Sequence, residues 1–169
     1  MDALHRLLAI EEIRCLKARY FRFMDERNWD AMAQVFCRDA IWDGKEAFQY
    51  TPLNGTPIGA VGPVTGGREA IMTWIKDALL DQTTVHHGHC HEVTIESETE
   101  ARGVIAMQDF IRGPDRQKIL LQAAGHYHER YRFEDGAWRI AETKLTRLFQ
   151  DLQPNQFYLS GVDKPRAAR

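Results

Sequence analysis

The sequence has no long apolar run and very little cysteine, and both absences restrict the kind of protein it encodes. No run approaches the roughly 20 apolar residues of a membrane-spanning helix. The first residues lack the apolar core and small-residue cleavage site of a signal peptide. The three cysteines, Cys15, Cys37 and Cys90, lie far apart and show neither a disulfide framework nor metal-ligand spacing. We therefore expect a cytoplasmic protein with no membrane partner.

An excess of basic residues is also missing. The 22 lysines and arginines stand against 24 aspartates and glutamates, for a formal net charge of -2, so no nucleic-acid partner is expected. The sequence contains no glycine-rich phosphate loop, no dinucleotide-binding fingerprint and no Gly-x-Ser-x-Gly elbow. These absences argue against nucleotide-dependent enzymes and serine hydrolases, and we expect no cofactor.

Apolar residues recur at helical spacing in the first part of the chain and at strand spacing in the second. The helical period covers residues 3–25 and 67–80, and Asn28 is a candidate N-cap for a short helix over residues 29–36. Strands are predicted over residues 39–43, 84–95, 101–112, 118–133 and 137–147. Helices followed by an antiparallel meander indicate an α+β fold, in which a curved, cone-shaped sheet wraps around the N-terminal helices.

The whole chain, residues 1–169, is predicted to be one domain with a core over about residues 4–150 and an irregular tail over 151–169. Residues 44–66 form the least regular stretch, because three prolines and five glycines interrupt it. A loop of this length in a compact domain is often a lid or a binding loop. The alternative is a disordered surface insertion.

Strand alternation predicts which side chains face the core. Asp109 falls on an apolar face with Ile105 and Met107, where a carboxylate has to be paired or protonated. Tyr127 also falls on an inward face, and His126 and His128 fall on the opposite one.

The strand that begins near residue 84 has an ambiguous pattern. His86 lies on one face, and the other face carries His87, His89 and His91. Either both faces are covered, as where a second subunit packs, or a β-bulge resets the register. The histidines also raise the possibility of a zinc site, but neighbouring side chains on one strand diverge. We favour exposed histidines without a metal.

His86 and Asp25 are the candidate catalytic pair. A neutral imidazole is a general base near neutral pH, and a carboxylate on its other nitrogen fixes the tautomer and stabilises the imidazolium that forms. Tyr20, near the end of the same predicted helix as Asp25, could border the same cavity. The alternatives are a solvated Asp25 at a helix end, a hydrogen-bonded core histidine, and a tyrosine that only packs in the core.

Arg147, near the end of the last predicted strand, could bind a carboxylate or phosphate of a ligand. The alternative, which we favour slightly, is an ion pair with Asp151 at the surface.

Motifs at both ends of the chain resemble the SnoaL-like family of the nuclear-transport-factor-2-like superfamily. Near the start these are Ile10-Glu11-Glu12-Ile13, Leu16-Lys17-Ala18-Arg19-Tyr20-Phe21, Asp25 and Trp29-Asp30. Near the end they are Gly125-His126-Tyr127-His128-Glu129-Arg130-Tyr131 and Asp135-Gly136-Ala137-Trp138-Arg139-Ile140. The pattern is most similar to the bile-acid 7α-dehydratases, and more distantly to the scytalone dehydratases and hexachlorocyclohexane dehydrochlorinases. The resemblance spans about residues 8–150 and leaves out the stretch 44–66.

This resemblance implies an α+β cone and a cofactor-free lyase with a His–Asp dyad. It implies that His86 is the base, that Asp25 is its partner, and that Tyr20 protonates or orients a leaving hydroxyl. It also implies three substrate-binding residues: Asp109, Tyr127 and Arg147. Tyr127 stands where the scytalone enzymes use an asparagine, which is a departure from their pattern.

The sequence thus predicts a dehydratase that acts on a hydrophobic polycyclic or aromatic hydroxy compound, steroid-like or polyketide-like, and that forms a homo-oligomer, a dimer or a trimer. An isomerase with the same pocket is an alternative. A non-catalytic module that binds a small apolar ligand, or one that binds another protein, is a further alternative.

Overall fold

The computed structural model describes residues 1–114 and 116–152, in which three helices accompany one eight-stranded sheet. The elements in chain order are α1 (Ala3–Glu26), α2 (Trp29–Ala33), β1 (Phe36–Asp43), β2 (Gln49–Tyr50), β3 (Ile58–Gly59), β4 (Val64–Gly66), α3 (Arg68–Leu79), β5 (Thr83–Ile95), β6 (Glu100–Arg112), β7 (Ile119–Glu134) and β8 (Ala137–Leu152).

The four long strands β5 to β8 form an antiparallel meander, and β8 then pairs with elements from the first half of the chain. β1 and β2 both run parallel to the free edge of β8, and β3 and β4 extend the sheet from them. A tight turn joins β7 to β8, because Asp135 and Gly136 both adopt positive φ, as a two-residue hairpin of the primed type requires.

Helix α1 begins and ends at identifiable caps. The Asp2 side chain accepts a hydrogen bond from the backbone of His5, and Arg27 ends the helix in the left-handed conformation at φ 59°. The helix packs against β5 and buries a stripe that includes Ile13, Tyr20 and Met24. Its first turns extend beyond the core, so three residues of the predicted apolar face are exposed: Leu4, Leu7 and Leu8.

Strand β5 contains a β-bulge, which was one of the two alternatives for its histidine pattern. Cys90 has φ 47°, and two residues of β5 stand opposite one residue of β6 between the pairs His89–Ala106 and Glu92–Val104. The inward face therefore carries His86 and Gly88 before the bulge and His91 after it. The sequence pattern placed His91 with His87 and His89, and this placement is wrong because the extra residue reverses the alternation.

Two other predictions about element bounds need correction, and one of the two alternatives for residues 44–66 is excluded. The second helix ends at Ala33 rather than near residue 36, because Phe36 already begins β1, and the backbone of Ile140 in β8 donates a hydrogen bond to the carbonyl of Val35. The first strand accordingly starts at Phe36. Residues 44–66 are not a disordered insertion, since they contain β2, β3 and β4 and bury Ala47.

At the end of the chain, Asp151 and Leu152 are the last residues of β8, so the predicted irregular tail starts later than expected. The rest of that predicted tail, residues 153–169, lies outside the described residues. Among the described helices, none has the length and apolarity needed to cross a membrane.

Two glycines allow close packing on the inner face of the sheet. A Cβ atom on Gly88 would lie 2.4 Å from Cε2 of Phe21, and one on Gly103 would lie 2.8 Å from Nε2 of His91. Gly88 thereby lets α1 approach β5, and Gly103 leaves space for the inward histidine.

We expect Gly88→Ala to lower the free energy of unfolding by about 1–3 kcal/mol, because the added methyl overpacks the contact between α1 and β5. Urea unfolding measures this change. Gly66→Ala is the matched control, since a Cβ at Gly66 would meet nothing within 4 Å. Equal stability of the two variants would show that Gly88 does not set the distance between helix and strand.

We also expect stability to depend on pH through His91, whose Nε2 lies 3.0 Å from the Tyr131 hydroxyl. Burial lowers the pKa of His91 from 6.5 to about 4, so between these pH values the unfolded chain binds more protons than the folded one. The free energy of unfolding should therefore fall as the pH drops from about 6.5 towards 4. His91→Gln keeps a hydrogen-bond donor but has no side chain that binds a proton in this pH range. This variant should therefore show a flatter pH dependence of the free energy of unfolding, measured by urea unfolding. An unchanged slope in that variant would contradict the assignment.

Candidate active site

A cavity of about 70 Å³ lies between α1, α3 and the inner face of the sheet. Its walls are mainly apolar and aromatic, and only a few polar side chains reach it. The lining residues are Tyr20, Met24, Trp42, Ala47, Phe48, Trp74, Ile75, Ala78, Leu79, His86, Asp109, Ile111, Leu121, Tyr127, Leu145 and Arg147. All the predicted site residues except Asp25 are among them, and Asp25 contacts His86 directly.

Asp25 connects the last turn of α1 to the first residues of β5. One carboxylate oxygen, Oδ1, lies 2.6 Å from Nδ1 of His86 and accepts a hydrogen bond of 2.8 Å from the Thr84 hydroxyl. The other oxygen, Oδ2, accepts the backbone N–H of His86 at 2.9 Å. Sequence analysis missed Thr84, although it lies two residues before His86 and so shares its face of the strand.

These contacts fix the proton on the imidazole ring. A carboxylate only accepts hydrogen bonds, so Nδ1 of His86 carries the proton and Nε2 is the basic nitrogen of the neutral ring. The His86 side chain is only 6% exposed, and the ring of Phe21 stacks on it with 13° between the planes. The pair therefore has the arrangement of a general base with an orienting carboxylate.

Tyr20 and Tyr127 approach each other at the floor of the cavity. Their rings meet edge to face with centroids 5.8 Å apart. Burial, followed by the neighbouring hydroxyl, raises the pKa of Tyr20 well above its ordinary value. Burial and the charge of Asp109 likewise raise the pKa of Tyr127. Both tyrosines are thus neutral at physiological pH, and each hydroxyl can donate a hydrogen bond.

Asp109 and Arg147 form a buried, bidentate ion pair on the wall of the cavity. Nη1 and Nη2 of Arg147 lie 2.9 Å and 2.8 Å from the two carboxylate oxygens, and Nε donates to the carbonyl of Ala47 at 3.0 Å. Our preferred expectation, a surface pair of Arg147 with Asp151, is wrong. Arg147 continues the inward alternation of Thr143 and Leu145. The register shift between Arg147 and Phe149 then turns Asp151 to the outer face, away from Arg147.

The ion pair and the dyad are neighbours, because His86 and Asp109 stand directly opposite each other in the pairing of β5 with β6. Strand alternation had predicted the inward positions of Asp109 and Tyr127, and both are buried. His128 is exposed on the outer face of β7, as predicted. In the described part of the chain, no group of three or more histidine, cysteine, aspartate or glutamate side chains is arranged to hold a metal ion.

An aromatic wall closes one side of the cavity. Trp42 of β1 and Trp74 of α3 have ring centroids 4.2 Å apart, and Phe48, from the segment between β1 and β2, packs beside Trp74 at 6.1 Å. This wall offers flat apolar faces to a ligand, and the polar groups of the cavity come from α1, β5, β6, β7 and β8.

Comparisons with known proteins agree with this architecture. A family model described as a SnoaL-like domain matches residues 5–144. An uncharacterized protein of Mycobacterium tuberculosis (strain H37Rv) is 26% identical over 143 residues, which cover 83% of this chain and 86% of that protein.

Two solved structures resemble the fold at low identity. A candidate scytalone dehydratase from Novosphingobium aromaticivorans has a TM-score of 0.71 at 18% identity and covers 90% of this chain and 92% of its own. A type 2 hexachlorocyclohexane dehydrochlorinase has a TM-score of 0.70 at 16% identity and covers 99% of this chain and 100% of its own. These findings confirm the predicted resemblance to the SnoaL-like family and the predicted α+β fold.

We expect nitrogen NMR to find neutral His86 with its proton on Nδ1, the less common tautomer of a free imidazole. In Asp25→Ala the acceptor is gone, so the proton should move to Nε2. Thr84→Val removes one hydrogen bond to the carboxylate and leaves the pairing with His86, so it should keep the Nδ1 proton. A parent protein with its proton on Nε2 would contradict the geometry of the pair.

Proposed function

Since the chain belongs to the SnoaL-like domain family, we propose that it is a cofactor-independent lyase, most simply a dehydratase, that acts on a hydrophobic hydroxy compound. The observation that carries this proposal is the Asp25–His86 pair beside Tyr20 in an apolar cavity. The names of the structurally similar dehydratase and dehydrochlorinase also support a lyase.

In the proposed reaction, Nε2 of His86 removes a proton from a carbon next to a carbonyl or another unsaturated group. The electron pair of that C–H bond forms a double bond, and the bond to the hydroxyl on the neighbouring carbon breaks. The Tyr20 hydroxyl gives its proton to the departing oxygen, so one water leaves. Asp25 stabilises the imidazolium, whose proton returns to the Tyr20 oxygen through water.

Tyr127 and the Asp109–Arg147 pair complete the proposed site. Tyr127 packs edge to face against Tyr20 and so restricts the direction of the Tyr20 hydroxyl. Asp109 does not serve as an acid, because both its oxygens already accept hydrogen bonds from Arg147. We assign the ion pair to binding the polar end of the substrate, directly across from His86.

The size of the cavity constrains the substrate. An engineered cavity of about 150 Å³ accepts a single benzene ring, whereas this cavity has about 70 Å³. A polycyclic, steroid-like compound therefore requires the cavity to open. We propose that the segment 44–66, which carries Ala47 and Phe48, opens for entry and closes on the substrate. The wall of Trp42, Phe48 and Trp74 favours a flat aromatic or unsaturated ring.

An isomerase is the second candidate, because the same dyad can remove a proton and return it to another carbon. The two activities share the first step and differ in whether the substrate carries a leaving group. A module that only binds an apolar ligand would have the same cavity without proton transfer.

We also propose that the protein is a cytoplasmic homo-oligomer, a dimer or a trimer. The exposed leucines Leu4, Leu7 and Leu8 on α1 support self-association, since such apolar groups are commonly covered in an assembly.

The test is a panel of aromatic and polycyclic compounds that carry a hydroxyl group β to a carbonyl, incubated with the protein in deuterated water. Mass spectrometry detects the loss of one water from a dehydratase substrate. A compound that takes up deuterium but does not lose water indicates an isomerase. Binding without either change supports the binding module and contradicts both enzyme proposals.

For any compound turned over, we expect His86→Ala to reduce kcat by about 10²–10⁴-fold or more, because it removes the general base. His87→Ala is the matched control on the outer face of the same strand, and it should keep parental turnover. Tyr20→Phe should lower kcat more than it changes KM, since the hydroxyl acts on the leaving group. Turnover within a few-fold of the parent in His86→Ala would overturn the dyad mechanism.

A further inference from the structure

The interior holds a second ion pair that the proposed mechanism does not use. Nζ of Lys17 on α1 lies 2.6 Å from Oε1 of Glu129 on β7, and the two side chains are 2% and 0% exposed. Oε1 also accepts a hydrogen bond of 2.9 Å from Thr143, and Oε2 accepts one of 2.5 Å from Tyr131. Sequence analysis did not single out either charged residue.

Such a pair is expensive to bury and adds little to stability. Desolvation of both charges offsets most of their attraction, and apolar residues of similar volume are often as stable or more so. The position of the pair is therefore better explained by what the Lys17 ammonium does to the groups that it contacts.

Those groups are the two tyrosines of the cavity. Nζ of Lys17 lies 3.7 Å from the centroid of the Tyr20 ring and 3.5 Å from the centroid of the Tyr127 ring. An ammonium at this distance over a ring face is attracted to its π electrons, and the attraction grows when the site is desolvated. Lys17 is one helical turn before Tyr20 on α1, so the helix itself holds the two side chains together.

We propose that Lys17 is a positioning residue for the acid of the reaction: its ammonium, held by Glu129 against the ring faces of Tyr20 and Tyr127, stabilises the phenolate that Tyr20 becomes when it protonates the leaving group. This inference rests on the proposed function. The proton balance is that of the dehydration itself, since the Tyr20 proton leaves in water and Lys17 keeps all its protons throughout.

The surroundings keep the ammonium charged and fixed. Burial lowers the pKa of Lys17 to about 8 against the opposing effect of Glu129, so the side chain still carries its charge at neutral pH. Glu129 is fixed in turn by Thr143 and by Tyr131. Because the Tyr131 proton goes to Glu129, Nε2 of His91 donates to the Tyr131 oxygen and closes the network towards β5.

The test measures the ionisation of residue 20 without any substrate. A fluorinated tyrosine, whose phenol is more acidic, replaces Tyr20, and its ionisation is followed by absorbance as the pH is raised. Lys17→Met/Glu129→Gln removes both charges together, which avoids leaving one charge buried alone. Besides burial, the carboxylates of Glu129 and Asp109 themselves raise the pKa of Tyr20, so the effect of the ammonium is measured between Glu129→Gln and the double variant. The pKa of the fluorotyrosine should be about one unit higher in the double variant than in Glu129→Gln.

Thr143→Val is the matched control, because it loses a buried hydrogen bond to Glu129 but keeps the ion pair. It should leave the fluorotyrosine pKa unchanged. An unchanged or lowered pKa in the double variant relative to Glu129→Gln would overturn the inference, whether or not the protein has lyase activity. Conversely, if no compound is turned over but the pKa rises as expected, the electrostatic effect stands and the proposed reaction fails.

A second measurement tests the same coupling if the double variant does not fold. Coupling between two ionisations is reciprocal, so ionising the fluorotyrosine must make the Lys17 ammonium harder to deprotonate. Carbon NMR of the Lys17 Cε should show a higher Lys17 pKa with fluorotyrosine at position 20 than in Tyr20→Phe. Equal Lys17 titrations in the two proteins would exclude the coupling.

Discussion

The attachment of α1 to β5 through Asp25 is the contact on which the geometry of the site depends. Its carboxylate accepts hydrogen bonds from the Thr84 hydroxyl and from the backbone and ring of His86, so the end of the helix is fixed to the start of the strand. Gly88 lets the same helix approach the same strand further along. Because both elements are held at two points, Tyr20 faces the cavity from one side and His86 from the other.

The polar groups of the interior follow a common arrangement. Asp25 with His86, Asp109 with Arg147 and Lys17 with Glu129 are three acidic–basic pairs, and each joins two different elements of the fold. A buried charge without its partner is costly, so each pair disfavours packings in which its two elements shift relative to each other. The pairs thus specify the positions of α1, β5, β6, β7 and β8, while the apolar residues supply most of the driving force for folding.

Sequence patterns predicted the parts of this structure that follow from local periodicity. The helix that carries Tyr20 and Asp25, the four long strands, and the inward positions of Asp109 and Tyr127 all follow from alternation or helical spacing. The same patterns gave wrong predictions where a strand departs from regular geometry. The bulge at Cys90 turns His91 inward, and the register shift in β8 turns Asp151, the expected partner of Arg147, to the outer face. The ion pair of Glu129 with Lys17 was not predicted, because the two residues lie 112 positions apart and no local pattern encodes such a contact.

Arg147 links the ion pair of the cavity to the backbone of the segment 44–66. Its guanidinium holds Asp109 through two nitrogens and the carbonyl of Ala47 through the third, and the neighbouring backbone pairs with Tyr50 in β2. One side chain therefore joins the charged wall to the segment that borders the cavity. A ligand that draws Arg147 away from Asp109 also loosens its hold on that segment, so the electrostatics of the cavity and the position of the segment that borders it change together rather than independently.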